Sequence, residues 1–371
     1  MPRQPDWRRR AAAMTTQLTA SGVLSDRALI TAFAETPRHV FARRAGGTAA
    51  SAPVSSAYSD RVIPTRYVDT FDGALTVTSS LSQPTVVAIM LELLHLRGGE
   101  NVLEIGTGLG YNAALLCHRL GDQNVTSVDI DPHLVDAARE CLTEIDHHPT
   151  LAAVDGEAGY PARAPFDRIL ATCALDHVPR PWLGQLREDA RVVLPLTYGG
   201  LLMVLRFSAG VLSGRARDEG VYFMRMRHSA DEPGTPSSEP QGEYRHRTID
   251  IDQYEVTSEE FTPWLELSLP DVRALSFGAE VRLGTETGHA RITDDAHGTV
   301  VEEWGTPFFD EVVEAWHAWR EAGRPRRDRF GLSVTETEQW AWVDEPDSDH
   351  RWPLTDDSPL LPAGTNLPSH R

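Results

Sequence analysis

Basic residues are scarce in this chain. Its 371 residues hold 35 Lys and Arg against 54 Asp and Glu, a formal net charge of −19. Gripping a phosphate backbone needs a basic surface, so a nucleic-acid partner is not expected; a neutral or basic substrate suits the balance better. Cysteine is scarcer. There are three, Cys117, Cys141 and Cys173, and none forms a CxxC pair. That leaves no disulfide framework, no cysteine-based metal site and no expected metal; buried reduced thiols fit a cytoplasmic protein. Long apolar runs are absent too. Nothing approaches the roughly 20 residues of a membrane span. Thr15, Thr16 and Gln17 interrupt any secretory segment after Arg8-Arg9-Arg10. Neither a membrane partner nor an internal repeat is expected. Hydrophobic residues still make up 41% of the chain, enough for a real core and for two domains of ordinary size.

The most informative stretch is Val102-Leu103-Glu104-Ile105-Gly106-Thr107-Gly108-Leu109-Gly110-Tyr111-Asn112. An apolar strand ends near Glu104, three glycines turn the backbone, and a helix starts near Tyr111. Glycines allow close approach to a ligand, and the helix N-terminus offers free N–H groups. This is a cofactor cradle of the doubly wound type. Before it, residues 1–13 read as a flexible terminus. Ser25 reads as the N-cap of a helix running to about Glu35, and Thr36-Pro37 stops it. His39 is more readily structural than catalytic. Tyr67 to Thr78 reads as a short hairpin, and Thr85 to Leu96 as a helix with Pro84 in its first turn. Ser82 stands near that helix's N-cap, and spacing alone does not separate a capping role from a chemical one.

After the glycine loop come strands at Val125–Asp129, 151–154, 166–172 and 190–196, with helices at 113–120, 132–144 and 182–186. Residues 201–207 and 221–227 read as two further, antiparallel strands. This alternation means α/β with a mostly parallel sheet. Residues 231–243, rich in Pro, Ser and Thr, form a linker. Beyond it an α+β domain is expected over 244–345, with strands at 264–269, 274–283 and 331–343. Thr306-Pro307 opens a helix whose Trp316 and Trp319 belong to its core. Arg320, Arg324, Arg326, Arg327 and Arg329 follow, either as a solvated helix end or as a dock for an acidic peptide. Residues 346–371 read as a disordered tail.

The GxGxG pattern Gly106, Gly108, Gly110 is not the GxGxxG of a dinucleotide site. Glu104 precedes it. Asp129, 19 residues after Gly110, ends the second strand, where an acid accepts hydrogen bonds from ribose hydroxyls. Asp155-Gly156 ends the third, within reach of an adenine. Such a run of acids would repel a pyrophosphate and suits a sulfonium cofactor. S-adenosyl-L-methionine is therefore expected, ahead of a nicotinamide dinucleotide. Its binding set is Ser82, Glu104, Gly106, Thr107, Gly108, Gly110, Asn112, Asp129, Ile130, Asp155 and Gly156.

Pro37-Arg38-His39-Val40-Phe41, Ala57-Tyr58-Ser59-Asp60, Leu81-Ser82-Gln83-Pro84, the Glu104–Tyr111 loop, Asp155-Gly156 and Ala164-Pro165-Phe166-Asp167-Arg168-Ile169 occur in order over residues 14–230. In these the chain resembles the protein-L-isoaspartate (D-aspartate) O-methyltransferases. The family has Thr-Ile-Ser where this chain has Ser80-Leu81-Ser82. The resemblance implies a class I S-adenosylmethionine-dependent methyltransferase, with a Rossmann-like doubly wound sheet, here carrying an additional C-terminal α+β domain. It implies esterification of a peptide carboxyl group, with the Ser82 hydroxyl beside methyl donor and substrate. Thr172, Cys173 and Ala174 are expected to line the opposite wall. In architecture the extended chain resembles homologues that methylate one aspartate of a ribosomally made precursor peptide, whose ester then closes to an aspartimide. That substrate is the leading expectation. Repair of isoaspartate in damaged proteins is the alternative, and an inactive cofactor-binding protein or a small-molecule methyltransferase stand behind it.

Overall fold

The computed structural model describes residues 6–44, 54–69, 75–228, 244–249, 251, 253–256, 258–277, 280–285, 287–295 and 298–354. The expected linker 231–243 lies outside them. The chain opens with helices α1 (Asp6–Ala20), α2 (Arg27–Glu35), α3 (Arg38–Ala42) and α4 (Val54–Ala57). An antiparallel hairpin follows, β1 (Ile63–Asp69) with β2 (Leu75–Leu81), then α5 (Pro84–Leu93). The alternating segment is β3 (Val102–Ile105), α6 (Tyr111–Leu120), β4 (Val125–Asp129), α7 (Pro132–Glu144), β5 (Thr150–Ala153), β6 (Phe166–Ala171) and β7 (Leu186–Pro195). Next come β8 (Leu202–Ser208) and β9 (Val211–Ala216).

The C-terminal part holds β10 (Tyr244–Ile249), α8 (Gln253–Val256), α9 (Thr262–Ser268), β11 (Arg273–Phe277), β12 (Glu280–Gly284), β13 (Gly288–Asp295), β14 (Gly298–Gly305) and α10 (Phe309–Glu321). Three strands end it: β15 (Phe330–Val334), β16 (Gln339–Val343) and β17 (Arg351–Pro353).

The main sheet has ten strands in the order β17-β16-β15-β9-β8-β7-β6-β3-β4-β5. β5, β4, β3, β6 and β7 are parallel, and the other half is antiparallel. β10, β14, β13, β12 and β11 form a separate antiparallel sheet. The two-domain picture changes here: β15–β17 leave the extension and complete the main sheet. Successive strand residues face opposite sides. Leu170, Val193 and Leu202 join the N-terminal helices, whereas Ile169, Val192 and Met203 share one core with Phe261, Trp264, Phe309, Trp316 and Trp319 of the extension. The last two tryptophans are core, as expected.

Several local readings are corrected. The N-terminus is helical from Asp6, because Ala11, Met14 and Leu18 recur on one face and are buried. Residues 351–353 form β17, and Leu354 is buried, so the expected tail from 346 is structured that far. Residues 264–269 lie largely in helix α9, not a strand. Trp264 to Leu267 are all buried, and a short buried apolar run has no period to tell helix from strand. Residues 274–283 and 331–343 each hold parts of two strands paired antiparallel, not one strand. Residues 221–227 make only the single bridge Ala174–Arg225; the place beside β8 goes to β9, turned back through Ala209 and Gly210, both at positive φ.

Helix starts are also shifted. Asp26, not Ser25, caps α2 and accepts from the N–H groups of Ala28 and Leu29. α10 starts at Phe309; Glu303 on β14 accepts from the N–H groups of Phe308 and Phe309. Ser82 makes no capping bond to α5. Asp60, 25 residues before Thr85, accepts from its N–H at 2.9 Å and its hydroxyl at 2.8 Å. Asp60→Ala is therefore expected to lower stability by about 1 kcal/mol, the usual worth of an N-cap, in urea unfolding. A loss no larger than that of Asp136→Ala on exposed α7 would contradict the capping role.

Candidate functional site

The glycine loop lies between β3 and α6 at the carboxyl ends of the parallel strands. Gly106, Gly108 and Gly110 all have positive φ. Val128 O accepts from the N–H groups of Gly106 and Thr107, fastening the loop to β4. A Cβ on Gly106 would stand 2.7 Å from Thr172 Oγ1, and one on Gly110 would press Ala138 and Leu142. A Cβ on Gly108 would make only ordinary contacts, 3.7 Å from Ser79 Oγ and 3.9 Å from Ser80 O, so this glycine faces the end of β2. α6 begins at Gly110 without a side-chain cap, leaving its first N–H groups to a ligand.

Glu104 is fully buried beneath the loop. Asn112 Nδ2 donates to it at 2.6 Å and Ser127 Oγ at 2.5 Å, and Ser127 also meets the Thr107 hydroxyl at 2.7 Å. Glu104, Thr107 and Asn112 thus brace the loop as one network. Asp129 accepts from the N–H groups of Gly108 at 2.8 Å and Asp131 at 3.1 Å. A carboxylate has about four lone-pair positions, so Asp129 can accept more. Ile130 beside it is half-buried. Asp155 accepts from the N–H of Glu157 at 2.9 Å. Gly156 leaves no room for a side chain: a Cβ would stand 2.5 Å from Ile105 Cγ2.

Burial pushes the carboxyl of Glu104 up to about 7, against which the Ser127 and Asn112 bonds pull. Burial likewise raises Asp129 to about 6, partly opposed by the Gly108 N–H, Arg227 and Arg66. From the ordinary 4.5 to about pH 7 the folded chain keeps a proton on Glu104 that the unfolded chain has released. The stability this contributes is complete below pH about 4.5 and is lost as pH rises through about 7. Thermal melts of the protein without added cofactor should show a decline between about pH 5 and 7. Glu104→Gln, neutral throughout, should make it shallower, leaving the part that Asp129 contributes. An unchanged slope would mean that Glu104 is ionised throughout.

The residues expected at the substrate wall also brace the fold. The Thr172 hydroxyl donates to Gly106 O at 2.7 Å and thus holds the loop. Burial raises the Cys173 thiol to about 12, so it is no nucleophile at neutral pH. Ala174 N donates to Met224 O, and Met226 N donates to Ala174 O, each at 2.8 Å. These bonds hold residues 221–228 as a strap across the strand ends. Met226 Sδ lies 3.5 Å from a Gly156 Cβ position, His228 Nδ1 is 3.2 Å from Asp155, and Arg227 donates to Thr78 O on β2 at 3.4 Å. The strap and hairpin therefore flank the cradle. Sequence reading missed the strap's role; the pair Arg225 and Arg227 in an acidic chain was the available signal. It also missed Arg66, which pairs with the fully buried Asp131.

Ser82 follows β2. Its carbonyl accepts from Arg38 Nη2 at 2.8 Å, and Arg38, wholly buried, also holds Ala57 O. His39 is structural, as expected, bonding Tyr58 Oη at 2.9 Å. The arginines at the end of α10, read as either a solvated helix end or a peptide dock, are engaged within the chain. Arg320 lies over the Trp316 ring, and Arg324, Arg326, Arg327 and Arg329 pair with Glu255, Asp218, Glu259 and Asp344. Among the described residues no helix is long and apolar enough to cross a membrane.

Residues 9–224 match the family model of protein-L-isoaspartate(D-aspartate) O-methyltransferase. The chain is 37% identical over 204 residues to protein-L-isoaspartate O-methyltransferase 2 of Shewanella sediminis, covering 54% of this chain and 75% of that one. It is 33% identical to the protein-L-isoaspartate O-methyltransferase of Methanococcoides burtonii, covering 56% of this chain and 96% of that one. A solved protein-L-isoaspartate O-methyltransferase superposes with a TM-score of 0.54 at 22% identity, covering 88% of this chain and 96% of its own.

Proposed function

The chain belongs to the protein-L-isoaspartate (D-aspartate) O-methyltransferase family and is an S-adenosyl-L-methionine-dependent carboxyl O-methyltransferase, and from that premise we propose that it esterifies the side-chain carboxylate of an isoaspartyl residue in a peptide chain. The site suits the cofactor: a turn of positive-φ glycines at Gly106, Gly108 and Gly110, acceptors on Asp129 and Asp155, and uncapped N–H groups at α6. When bound, S-adenosyl-L-methionine supplies an electrophilic methyl group. Asp129 would accept from its ribose hydroxyls and Asp155 and Gly156 would border the adenine, with the braced loop fixing their spacing.

The substrate carboxylate, with a reference pKa near 4, arrives ionised, so no general base is required. The chain's task is placement. One observation carries the assignment of Ser82: Asp60 caps α5, which leaves the Ser82 hydroxyl for the substrate, while Arg38 fixes the Ser82 main chain.

The extension bears on the choice of peptide. An aspartate in a ribosomally made precursor is the second reading, favoured by the separate five-stranded sheet. The extension is not peculiar to that role. Only 240 residues precede it, so the 88% alignment with a solved isoaspartate methyltransferase takes in much of it. Isoaspartate therefore stands first, reversing the order expected from sequence. In both readings the ester can react further: the next backbone nitrogen attacks the carbonyl, methanol leaves, and a five-membered imide forms.

The test offers the full-length protein and cofactor an isoaspartyl peptide, its aspartyl isomer, and the precursor encoded beside its gene. Mass spectrometry reads methyl gain followed by methanol loss. Gain on the isoaspartyl peptide supports the first reading. Gain on the precursor alone establishes the second, and cofactor binding without gain on any of the three peptides overturns both.

A further inference from the structure

Arg327 occupies the short turn between α10 and β15, far along the chain from the glycine loop. Its side chain is 7% exposed. Nε donates to Gly199 O at 3.2 Å, Nη1 to Glu259 at 3.0 Å and Nη2 to the Tyr222 hydroxyl at 3.1 Å. One guanidinium thereby joins three parts of the chain: the turn before β8, the segment before α9, and the first residues of the strap. Gly220 leaves room for this guanidinium, since a Cβ there would stand 2.6 Å from Arg327 Cζ. The same turn is gripped by α9, because Glu266 accepts from Gly199 N at 2.6 Å. Gly200 O in turn accepts from Val221 N at 2.9 Å, so the strap leaves from this clamp. Four residues beyond Tyr222, Met226 lies against Gly156; two more bring His228 to Asp155.

We propose that Arg327 is a positioning residue for the cofactor site, holding the strap in register over Asp155 and Gly156 and thereby making the extension part of the catalytic unit. A planar guanidinium suits this role, since it donates in three directions from a rigid fork and stays charged when buried. Lysine offers a point charge at the end of a flexible stem and cannot keep all three contacts. The proposal rests on the cofactor reading and not on the substrate. It is tested without a peptide, so its failure is separate from a failure to methylate isoaspartate.

The experiment measures the affinity of the full-length protein for S-adenosyl-L-homocysteine by calorimetry, alongside its melting temperature. Arg327→Met should weaken binding roughly tenfold, within the usual range of coupling between linked sites, and Arg327→Lys by less. Tyr222→Phe removes only the strap contact. It should weaken binding in the same direction, by about threefold, with little change in melting temperature. Arg329→Met breaks the neighbouring pair with Asp344 and does not reach the strap, so it should leave affinity unchanged. A lower melting temperature in Arg327→Met, with wild-type affinity in it and in Tyr222→Phe, would reduce Arg327 to a staple and overturn the proposal. Should Arg327→Met fail to fold, Tyr222→Phe decides alone: weaker affinity supports the role, and unchanged affinity refutes it.

Discussion

Ser82→Ala is expected to lower turnover on an isoaspartyl peptide by about 100-fold, with cofactor affinity within about threefold of wild type. The magnitude is that of losing one preorganised donor, or of a misplaced reacting group. The split follows from position. The loop is braced by Glu104, Ser127 and Thr172, and its acids are Asp129 and Asp155; none of these depends on the Ser82 hydroxyl. The fold should also survive, because Asp60 caps α5 and Arg38 binds the Ser82 carbonyl, which alanine retains. Initial rates at saturating cofactor, calorimetric affinity and a thermal melt test all three statements. Equal loss of rate and affinity would make Ser82 a cofactor residue, and no loss of rate would remove it from the site.

What was legible in the sequence was what is encoded locally. Parallel strands buried on both faces, β3 and β4 above all, read as apolar runs, and β3 to β7 were recognisable to within a few residues. Glycines with positive φ and acids closing strands made the cradle legible at Gly106, Gly108, Gly110, Asp129 and Asp155. What was missed is non-local. Asp60 caps a helix from 25 residues upstream, and Glu303 caps α10 from β14, so the local candidates Ser82 and Thr306 looked like the caps. Thr172 was expected at the substrate wall; that its hydroxyl also holds Gly106 O, 66 residues earlier, could not be read locally. The strap makes one isolated bridge and has no period to read. Nothing in Phe330-Gly331-Leu332-Ser333-Val334 tells that its partner is a strand over 110 residues earlier.

That last pairing decides what truncation can teach. A chain ending at residue 240 is expected not to fold, and so to lose activity on every substrate, rather than to shed a recognition module. β15 pairs with β9 through Leu332–Gly214 and Ser333–Ser213, and β16 and β17 continue the sheet. Cutting them away leaves β9 as a bare edge with unpaired N–H and C=O groups. It also removes Phe330, Leu332, Val334 and Val343, each at most 1% exposed, from a core shared with Tyr198, Leu201, Leu205 and Leu212. Phe261, Trp264, Phe309 and Trp319 leave with them. Each large apolar side chain contributes about 1.5–3 kcal/mol by burial. The gross burial of eight of them is of the same order as the roughly 5–15 kcal/mol that separates a folded domain from its unfolded chain. Far-ultraviolet circular dichroism, a thermal melt and S-adenosyl-L-homocysteine binding on residues 1–240 test this. A cooperative melt with intact binding would contradict the single shared core and restore the extension as a detachable module. The expected loss of both means that loss of activity on a precursor peptide after truncation carries no information about recognition. Substrate choice must then be read from surface substitutions in the β10–β14 sheet of the full chain, where the main sheet and its core stay intact.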